Sequence, residues 1–259
     1  MTLPGSTQPT WNLLATPDQK PFELFDSATL DDLPEPAARW LRRVLPDQTP
    51  LVRAIELVMQ GEIRIGRWLP FTATQVLRAG VGFVWKPVVG GRLLRVLGAD
   101  ILGPDDARME FRLHGRIPLA KSTGPDTARS GAGRLAAETV AWIPQASTPQ
   151  AGATWQPIDG NRAAVTLDAA GTDVQIVVEV DGQGQLQSVH LDRWNSANKS
   201  PGLQPFGGDI THEYVTPDGV RIAGGGTIGW KHQTTEWPKG QFFRFDLDRV
   251  DPVPSSHRP

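Results

Sequence analysis

The chain has 259 residues and no cysteine, and it contains a single tyrosine and three methionines. The absence of cysteine excludes disulfide bonds, thiolate metal sites and a cysteine nucleophile. An excess of charge of one sign is also missing, because 26 Lys and Arg residues stand against 28 Asp and Glu residues and leave a net charge of -2. This balance provides no global field that would attract nucleic acid or an anionic membrane. We therefore predict no nucleic-acid partner.

Long hydrophobic runs are absent as well. No segment approaches the roughly 18 apolar residues of a transmembrane helix. Residues 1–19 also lack the basic segment and the apolar stretch of a signal peptide. These absences predict a cytoplasmic protein without a transmembrane segment. Nothing in the sequence indicates the oligomeric state.

Glycine and proline are abundant, with 27 and 23 residues, and they mark many turns along the chain. Apolar and polar residues alternate between the turns. From Arg108 to Ile117, for example, the apolar positions include Met109, Phe111 and Leu113. A period of two is typical of a strand with one buried face. About twelve such segments occur in two blocks, and a helical segment lies between the blocks.

This order of segments predicts a mainly β fold with few helices. We expect a large curved antiparallel sheet, or an incomplete β-barrel, of about a dozen strands wrapping a central helix. Residues 33–252 are predicted to form a single domain, because no linker within them is long or polar enough for a boundary. Residues 1–32 are predicted to be an irregular N-terminal leader, and residues 253–259 a C-terminal tail.

Two segments have helical periodicity. Apolar residues spaced i, i+3, i+4 and i+7 predict a helix over Glu35–Leu45. The central helix is predicted over Asp126–Ile143. Pro125 favours its first turn, where the missing N–H costs no hydrogen bond, and Pro144 follows its last turn.

Motifs of catalysis and cofactor binding are not found in a suitable context. Gly224, Gly226 and Gly229 fit the dinucleotide pattern G-x-G-x-x-G, but the residues after them do not form an amphipathic helix, which the pattern requires. We expect a strand kink there instead. His190 and Asp192 share one face of a strand, yet no histidines have the spacing of a zinc motif. We therefore predict neither a metal site nor a cofactor.

One stripe of the central helix has two open interpretations. Arg134, Glu138 and Trp142 are spaced i, i+4 and i+8 beside its apolar face. On the surface they would be an ordinary helix ion pair of small energy, whereas toward a cavity they would offer a charge pair and an indole to a ligand. The chain also has nine tryptophans. Each of them is expected to be a core residue, and a subset could line an apolar pocket.

Several short segments together resemble a bacterial family of uncharacterised proteins, a domain of unknown function. The resemblance extends from Leu33 to about Val250 and implies no catalytic residues, since the family has no established activity. It rests on Leu33-Pro34-Glu35-Pro36, Arg39-Trp40-Leu41, Gly61-Glu62-Ile63-Arg64, Trp68-Leu69-Pro70-Phe71-Thr72-Ala73, the segment from Gly80 to Trp85, Arg134-Leu135-Ala136-Ala137-Glu138, Trp142-Ile143-Pro144, Asp218-Gly219-Val220-Arg221-Ile222 and Gly229-Trp230.

The order of β-block, central helix and β-block is also similar to the LolA/LolB-like lipoprotein carriers. In those proteins a curved antiparallel sheet wraps helices and leaves an apolar cavity for lipid. The resemblance therefore implies a LolA-like architecture with a cavity beside the central helix. The present chain departs from the periplasmic carriers because no signal peptide is recognised in it.

The leading functional hypothesis is a binding protein without enzymatic activity, which holds a lipid or another apolar small molecule. The central helix would serve as its lid or plug. The predicted ligand-binding residues are Trp85, Phe111, Leu113, Arg134, Glu138, Trp142, Arg193 and Trp230.

Two alternatives remain open at this stage. The first is an enzyme of unrecognised class, which predicts that Arg134, Glu138, His190, Asp192 and Arg193 converge in one cleft. The second is a structural or partner-binding module that uses a sheet edge or the basic face formed by Arg39, Arg42 and Arg43.

Overall fold

The computed structural model describes residues 7–92, 94–196 and 201–256. Antiparallel strands dominate it. Six of them precede the central helix: β1 (Ala54–Ile65), β2 (Arg67–Arg78), β3 (Gly82–Gly90), β4 (Arg95–Gly103), β5 (Asp106–Leu113) and β6 (Ile117–Thr123). Seven follow it: β7 (Thr154–Pro157), β8 (Arg162–Asp168), β9 (Asp173–Val180), β10 (Leu186–Asn195), β11 (Gly202–Val215), β12 (Arg221–Trp230) and β13 (Gln241–Pro252). The α-helices are α1 (Gln8–Leu14), α2 (Glu35–Val44), α3 (Pro125–Trp142) and α4 (Trp237–Gly240).

All thirteen strands belong to one sheet, in the order β6-β5-β4-β3-β2-β1-β13-β12-β11-β10-β9-β8-β7. The sheet therefore consists of two meanders, β1–β6 and β7–β12, that are joined by β13. Its two edges, β6 and β7, are not paired with each other, and α3 connects them along the chain. Helix α3 contacts strands of both meanders, so the sheet must curve around it. The predicted mainly β fold, with a large curved antiparallel sheet around a central helix, is confirmed.

The two predicted helices are present with nearly the predicted bounds. Helix α2 ends at Val44 and α3 at Trp142, each one residue earlier than expected. Both bury their apolar faces against the inner side of the sheet, where Trp40, Leu135 and Val140 belong to the main core. None of the helices in the described ranges is long and apolar enough to cross a membrane.

The N-terminal segment that was predicted to be irregular contains helix α1, which packs on the outer side of the sheet. Leu14 at the end of α1 is fully buried and forms a second, smaller core with residues of β2, β3 and β4. The indole N–H of Trp11 donates to a carboxylate oxygen of Glu56 at 2.9 Å. Because α1 covers this outer face, Val76 and Val84 are buried although they point away from the main core.

One predicted strand was wrong in its extent. The segment from Arg108 to Ile117 is not a single strand, because β5 ends at Leu113 and Ile117 begins β6. Three residues, 114–116, connect the two strands. His114 (φ 52°) and Gly115 (φ 71°) both adopt left-handed backbone conformations, as the two central residues of a type I′ turn require. Ile117 consequently pairs with Leu113 across the turn and is 58% exposed. Ile117 is therefore a solvent-exposed residue, and the prediction that this apolar position belongs to the buried face of the sheet was wrong.

The glycine motif lies within β12 and is not followed directly by a helix. Gly226 and Gly229 pair with β11, whereas Gly224 falls at a shift of the β11–β12 register between His212 and Glu213. The register between β12 and β13 also shifts, between Ile228 and Gly229. The short helix α4 begins only at Trp237. The interpretation of these glycines as a strand irregularity is confirmed.

Candidate functional site

A cavity of about 290 Å³ lies between the inner face of the sheet and α3. Its walls come from both meanders, from β13 and from one side of the helix. This volume is at the lower end of the range of small-molecule pockets, and such pockets are mostly apolar with a few placed polar groups. The lining fits that description, because most of the side chains are aromatic or aliphatic and the charged ones are confined to α3, β4 and β10.

Seven of the eight predicted ligand-binding residues line this cavity: Trp85, Phe111, Arg134, Glu138, Trp142, Arg193 and Trp230. Leu113 does not. Leu113 points to the same side of β5 as Phe111. It lies two residues further along, at the last position of the strand. It packs against the edge of the main core instead.

Local sequence places the aromatic rings in the cavity wall. Phe111 pairs with Gly98 on β4, and the ring occupies the space that a side chain at Gly98 would need, since an added Cβ would lie 2.1 Å from Cδ1 of Phe111. Trp85 contacts Phe111 edge to face at 6.3 Å between ring centroids. Trp142 is held by a hydrogen bond from its indole N–H to the carbonyl oxygen of Ala223 at 3.1 Å. These contacts make the wall a packed and ordered surface.

Sequence reasoning missed several cavity residues on β11 and β13. Phe206, Phe242, Phe243 and Phe245 also line the cavity. Phe243 stacks on Phe71 at 4.9 Å between centroids, which becomes possible only because β13 pairs with β1. The signal was present as three phenylalanines within four residues, but their position depends on a pairing between distant parts of the chain.

Arg134 occupies a closed network of charged and polar groups at one corner of the cavity. Its Nε donates to Glu138 at 2.6 Å and its Nη1 to Asp100 at 2.7 Å. The side-chain amide of Gln75 donates to the second oxygen of Glu138 at 2.6 Å. The stripe of Arg134, Glu138 and Trp142 therefore faces the cavity, and its ion pair is only 15–16% exposed. Burial acts to lower the pKa of Arg134, but Glu138 and Asp100 outweigh burial, so the pKa is raised.

Arg193 lines the same cavity from β10, in a different environment. Its Nε donates to the carbonyl oxygen of Ser130 at 2.9 Å. Its guanidinium carbon lies 4.5 Å from the ring centroid of Phe206 and 5.5 Å from that of Trp230. Burial, assisted by the positive charge of Arg134, lowers the pKa of Arg193 to about 10. The guanidinium is still protonated at neutral pH, which lies three units below that value.

The five residues of the enzyme hypothesis do not converge. Arg134, Glu138 and Arg193 line the cavity, whereas His190 and Asp192 alternate with Arg193 along β10 and point to the other face of the sheet. The sheet therefore separates His190 and Asp192 from the three residues at the cavity.

On the outer face, His190 belongs to a cluster that the sequence did not reveal. Its Nδ1 is 3.2 Å from Nδ1 of His232, and Nε2 of His232 is 3.0 Å from a carboxylate oxygen of Asp209. A carboxylate only accepts hydrogen bonds, so Nε2 of His232 carries a proton and a neutral His232 accepts from His190. The indole N–H of Trp237 donates to the second oxygen of Asp209 at 2.9 Å. Within the ranges that the structure describes, no three histidine or carboxylate side chains are arranged to hold a metal ion.

The basic face of α2 is neutralised by contacts within the chain. Arg39 pairs with Glu35 at 2.5 Å, and Arg42 pairs with Asp31 at 2.7 Å. Arg43 forms two hydrogen bonds to the carboxylate of Glu213. The three arginines therefore do not present an unpaired positive surface.

Larger depressions exist elsewhere, but they are of a different kind. A groove of about 1080 Å³ near the turn between β4 and β5 is lined by side chains of both charges, such as Asp106, Arg108 and Lys121. A second one of about 680 Å³ lies between residues 18–23 and the segment after α3. Neither is enclosed by aromatic side chains, so the aromatic cavity under α3 is the better candidate for a small-molecule site.

Comparison with known proteins gives a match at the level of a family. Residues 23–242 match a family described as a family of unknown function (DUF6544), in agreement with the resemblance found in the sequence. No curated protein matches the chain.

Solved structures resemble the chain in overall shape only. A domain named for outer membrane lipoprotein sorting, from Vibrio parahaemolyticus, has a TM-score of 0.40 at 9% identity and covers 77% of this chain and 85% of its own. A DUF1329 family protein from Desulfovibrio piger has a TM-score of 0.40 at 11% identity, with coverages of 87% and 92%. A LolA superfamily protein from Nitrosomonas europaea has a TM-score of 0.39 at 8% identity, with coverages of 86% and 93%.

Proposed function

The chain belongs to this family of unknown function, DUF6544, and we propose that it binds a lipid or another apolar small molecule in the cavity between the curved sheet and α3. The observation that carries the proposal is the aromatic lining of a cavity of about 290 Å³ in the middle of the fold. Protein interiors are otherwise close-packed and contain few voids larger than a water molecule. An apolar occupant would restore the dispersion contacts that the wall residues lack on their cavity side.

Small side chains on α3 support this proposal. Ala137 and Ala141 face the cavity from the helix, on the same side as Glu138 and Trp142. Residues of this size leave the space between helix and sheet unfilled, whereas leucine or phenylalanine at these positions would occupy it. Helix α3 therefore acts as a lid that covers the cavity without filling it.

Neither alternative function is favoured by a specific observation. Both oxygens of Glu138 are engaged, one by Arg134 and the other by Gln75, so Glu138 is not free to act as a general base. The basic face of α2 is neutralised by ion pairs, as described above. The binding proposal is the one that accounts for the cavity.

The proposal is tested by asking whether the purified protein carries or takes up an apolar molecule. Native mass spectrometry and organic extraction are expected to reveal a bound species, or uptake of fatty acid, phospholipid or a hydrophobic dye. Ala141→Phe should fill the cavity and abolish uptake. Ala128→Phe is the matched control, because Ala128 is also a partly buried alanine of α3 that packs on the core but does not line the cavity. A wild-type protein that is isolated empty and takes up none of these molecules would refute the proposal.

A further inference from the structure

The two arginines of the cavity differ in the partners of their terminal nitrogens. Arg134 has an ion pair to each of two carboxylates, Glu138 and Asp100. Within the described ranges, Arg193 has no ion pair, and its single hydrogen bond runs from Nε to the carbonyl oxygen of Ser130. Its two Nη atoms therefore make no hydrogen bond to the described protein. A guanidinium group carries five N–H donors in a rigid fork, so four of the five are left for another partner.

Contacts with α3 hold the side chain of Arg193 beside the cavity. Its side chain crosses α3 at Gly133, where an added Cβ would lie 3.0 Å from Cγ of Arg193. Any larger residue at Gly133 would press on this stem. The hydrogen bond to Ser130 fixes the Nε side of the guanidinium to the helix. The planar group then lies against Phe206 and Trp230, which are themselves part of the cavity wall.

Arg193 is a partly buried charge without a paired counter-charge in the described part of the chain, which is unusual. Charged side chains that leave water are ordinarily paired, because the loss of hydration is otherwise uncompensated. Asp100 and Glu138 act electrostatically on Arg193 but do not fill this role, since both are paired with Arg134. Cation–π contacts with Phe206 and Trp230 compensate in part, but they leave the hydrogen-bonding capacity of the Nη atoms unused.

We propose, on the basis of the binding function inferred above, that the natural occupant of the cavity is an amphiphile with one anionic head group. A carboxylate or a phosphate monoester would accept two parallel hydrogen bonds from Arg193, while the apolar body lies against Trp85, Phe111 and Phe243. Arginine is the side chain best suited to such planar, bidentate recognition of an oxyanion. The groups Arg134, Arg193, Asp100 and Glu138 have charges that sum to zero, so selectivity arises from direct contact with Arg193 and not from a long-range field.

The inference is tested with a series of ligands that share one alkyl chain and differ in the head group. Decanoate, decyl phosphate, decanol and decyltrimethylammonium are titrated into the full-length protein by calorimetry. Decanoate or decyl phosphate, or both, should bind the wild-type protein about 10-fold to 100-fold more tightly than decanol, and decyltrimethylammonium should bind most weakly. The ranking of the first two distinguishes a carboxylate from a phosphate head group.

Variants of Arg193 assign the preference to this residue. Arg193→Gln should lose the preference for the anionic ligands and retain the affinity for decanol. Arg193→Lys, which keeps the charge but not the fork, should retain an intermediate preference. Arg129→Gln is the control, because Arg129 lies on α3, stacks on Trp194 of β10 at 4.0 Å and does not line the cavity. It should leave all affinities unchanged.

The outcomes separate this inference from the binding function on which it rests. If decanol binds the wild-type protein and the anionic ligands bind no more tightly, the anionic head group is wrong and the apolar cavity function stands. The same conclusion follows if Arg193→Gln keeps the full anionic preference. If no ligand of the series binds, both proposals fail. The head-group ranking on the wild-type protein decides the question even if Arg193→Gln does not fold.

Discussion

Nη1 of Arg134 on α3 lies 2.7 Å from Oδ2 of Asp100 on β4. This contact connects α3 to the first meander. Because the arginine also holds Glu138 on its own helix, one side chain satisfies two carboxylates at the cavity corner.

Removing this arginine should destabilise the protein more than removing a surface one. Arg134→Met leaves Glu138 and Asp100 without their shared cation in a poorly solvated site, for which we expect a loss of about 3–5 kcal/mol in the free energy of unfolding. Urea denaturation measures the change. Arg42→Met, which breaks the exposed pair with Asp31, is the control and should have little effect. Equal midpoints for the two variants would contradict a structural role for Arg134.

The histidine cluster on the outer face should make stability depend on pH. Burial lowers the pKa of His190 below its ordinary value of 6.5, the neighbouring His232 lowers it further, and Asp192 opposes both without outweighing them. A group with a lowered pKa in the folded state binds fewer protons there than in the unfolded chain. Stability is therefore unaffected above about pH 6.5, falls as the pH drops below that value, and stops falling below the folded-state pKa.

The measurement that checks this is the difference in unfolding free energy between pH 7.5 and pH 5, two conditions chosen about one unit or more on either side of the ordinary histidine pKa. His190→Gln should reduce the loss on acidification. His212→Gln is the control, because His212 is an exposed histidine on β11, 53% accessible in its side chain. If His190→Gln loses as much stability on acidification as the wild-type protein, the His190 assignment is wrong.

The pairing of β1 with β13 should be sensitive to a single methyl group. Gly61 has φ 155°, and a Cβ added to it would lie 2.0 Å from the carbonyl oxygen of Arg244 on β13. Since backbone cannot move aside cheaply, Gly61→Ala is expected to destabilise the fold by about 1–3 kcal/mol or more. Thermal unfolding compares it with Gly91→Ala, where nothing lies within 4 Å of the added methyl group. A Gly61→Ala protein that unfolds at the wild-type temperature would rule out this close approach.

Trp142 should combine a packing role with a hydrogen bond. Trp142→Phe removes the N–H that donates to Ala223 and part of the edge contact with Phe245, at 5.5 Å between centroids. We expect a destabilisation of about 1–3 kcal/mol, because a buried carbonyl group loses its partner. Trp68→Phe provides a comparison, since Trp68 is partly exposed and stacks with Arg244 at 4.2 Å. The larger loss should be that of Trp142→Phe in a denaturant titration.

Much of the architecture could be predicted from the sequence, because apolar and polar residues alternate periodically along amphipathic strands and helices. The alternation around Met109 and Phe111 was sufficient to place both on the cavity side of β5. It failed at His114, where a histidine adopts the left-handed conformation that a hairpin usually assigns to asparagine or glycine. The strand β6 that follows has an exposed and irregular pattern and left no signal of its own.

The grouping of polar side chains at one corner of the site was predictable only where one element carries it. Arg134, Glu138 and Trp142 lie on a single helix, so their spacing revealed a shared stripe. Their partners Gln75 and Asp100 lie on β2 and β4, and nothing local relates those strands to the helix. The lone guanidinium of Arg193 is likewise a property of the assembled fold, because the sequence does not show which carboxylates are already engaged.

The position of β13 between the two meanders has a consequence for biosynthesis. Strand β1 pairs with β13, which lies far along the chain. The hydrogen bond between Gln60 and Asp248, for example, joins residues that are 188 positions apart. On the ribosome, the first meander would therefore emerge with one strand edge and its aromatic inner surface uncovered until the final strand is made. Contacts of such long range slow folding and expose surface that aggregates. A chain of this topology is therefore expected to fold slowly for its length.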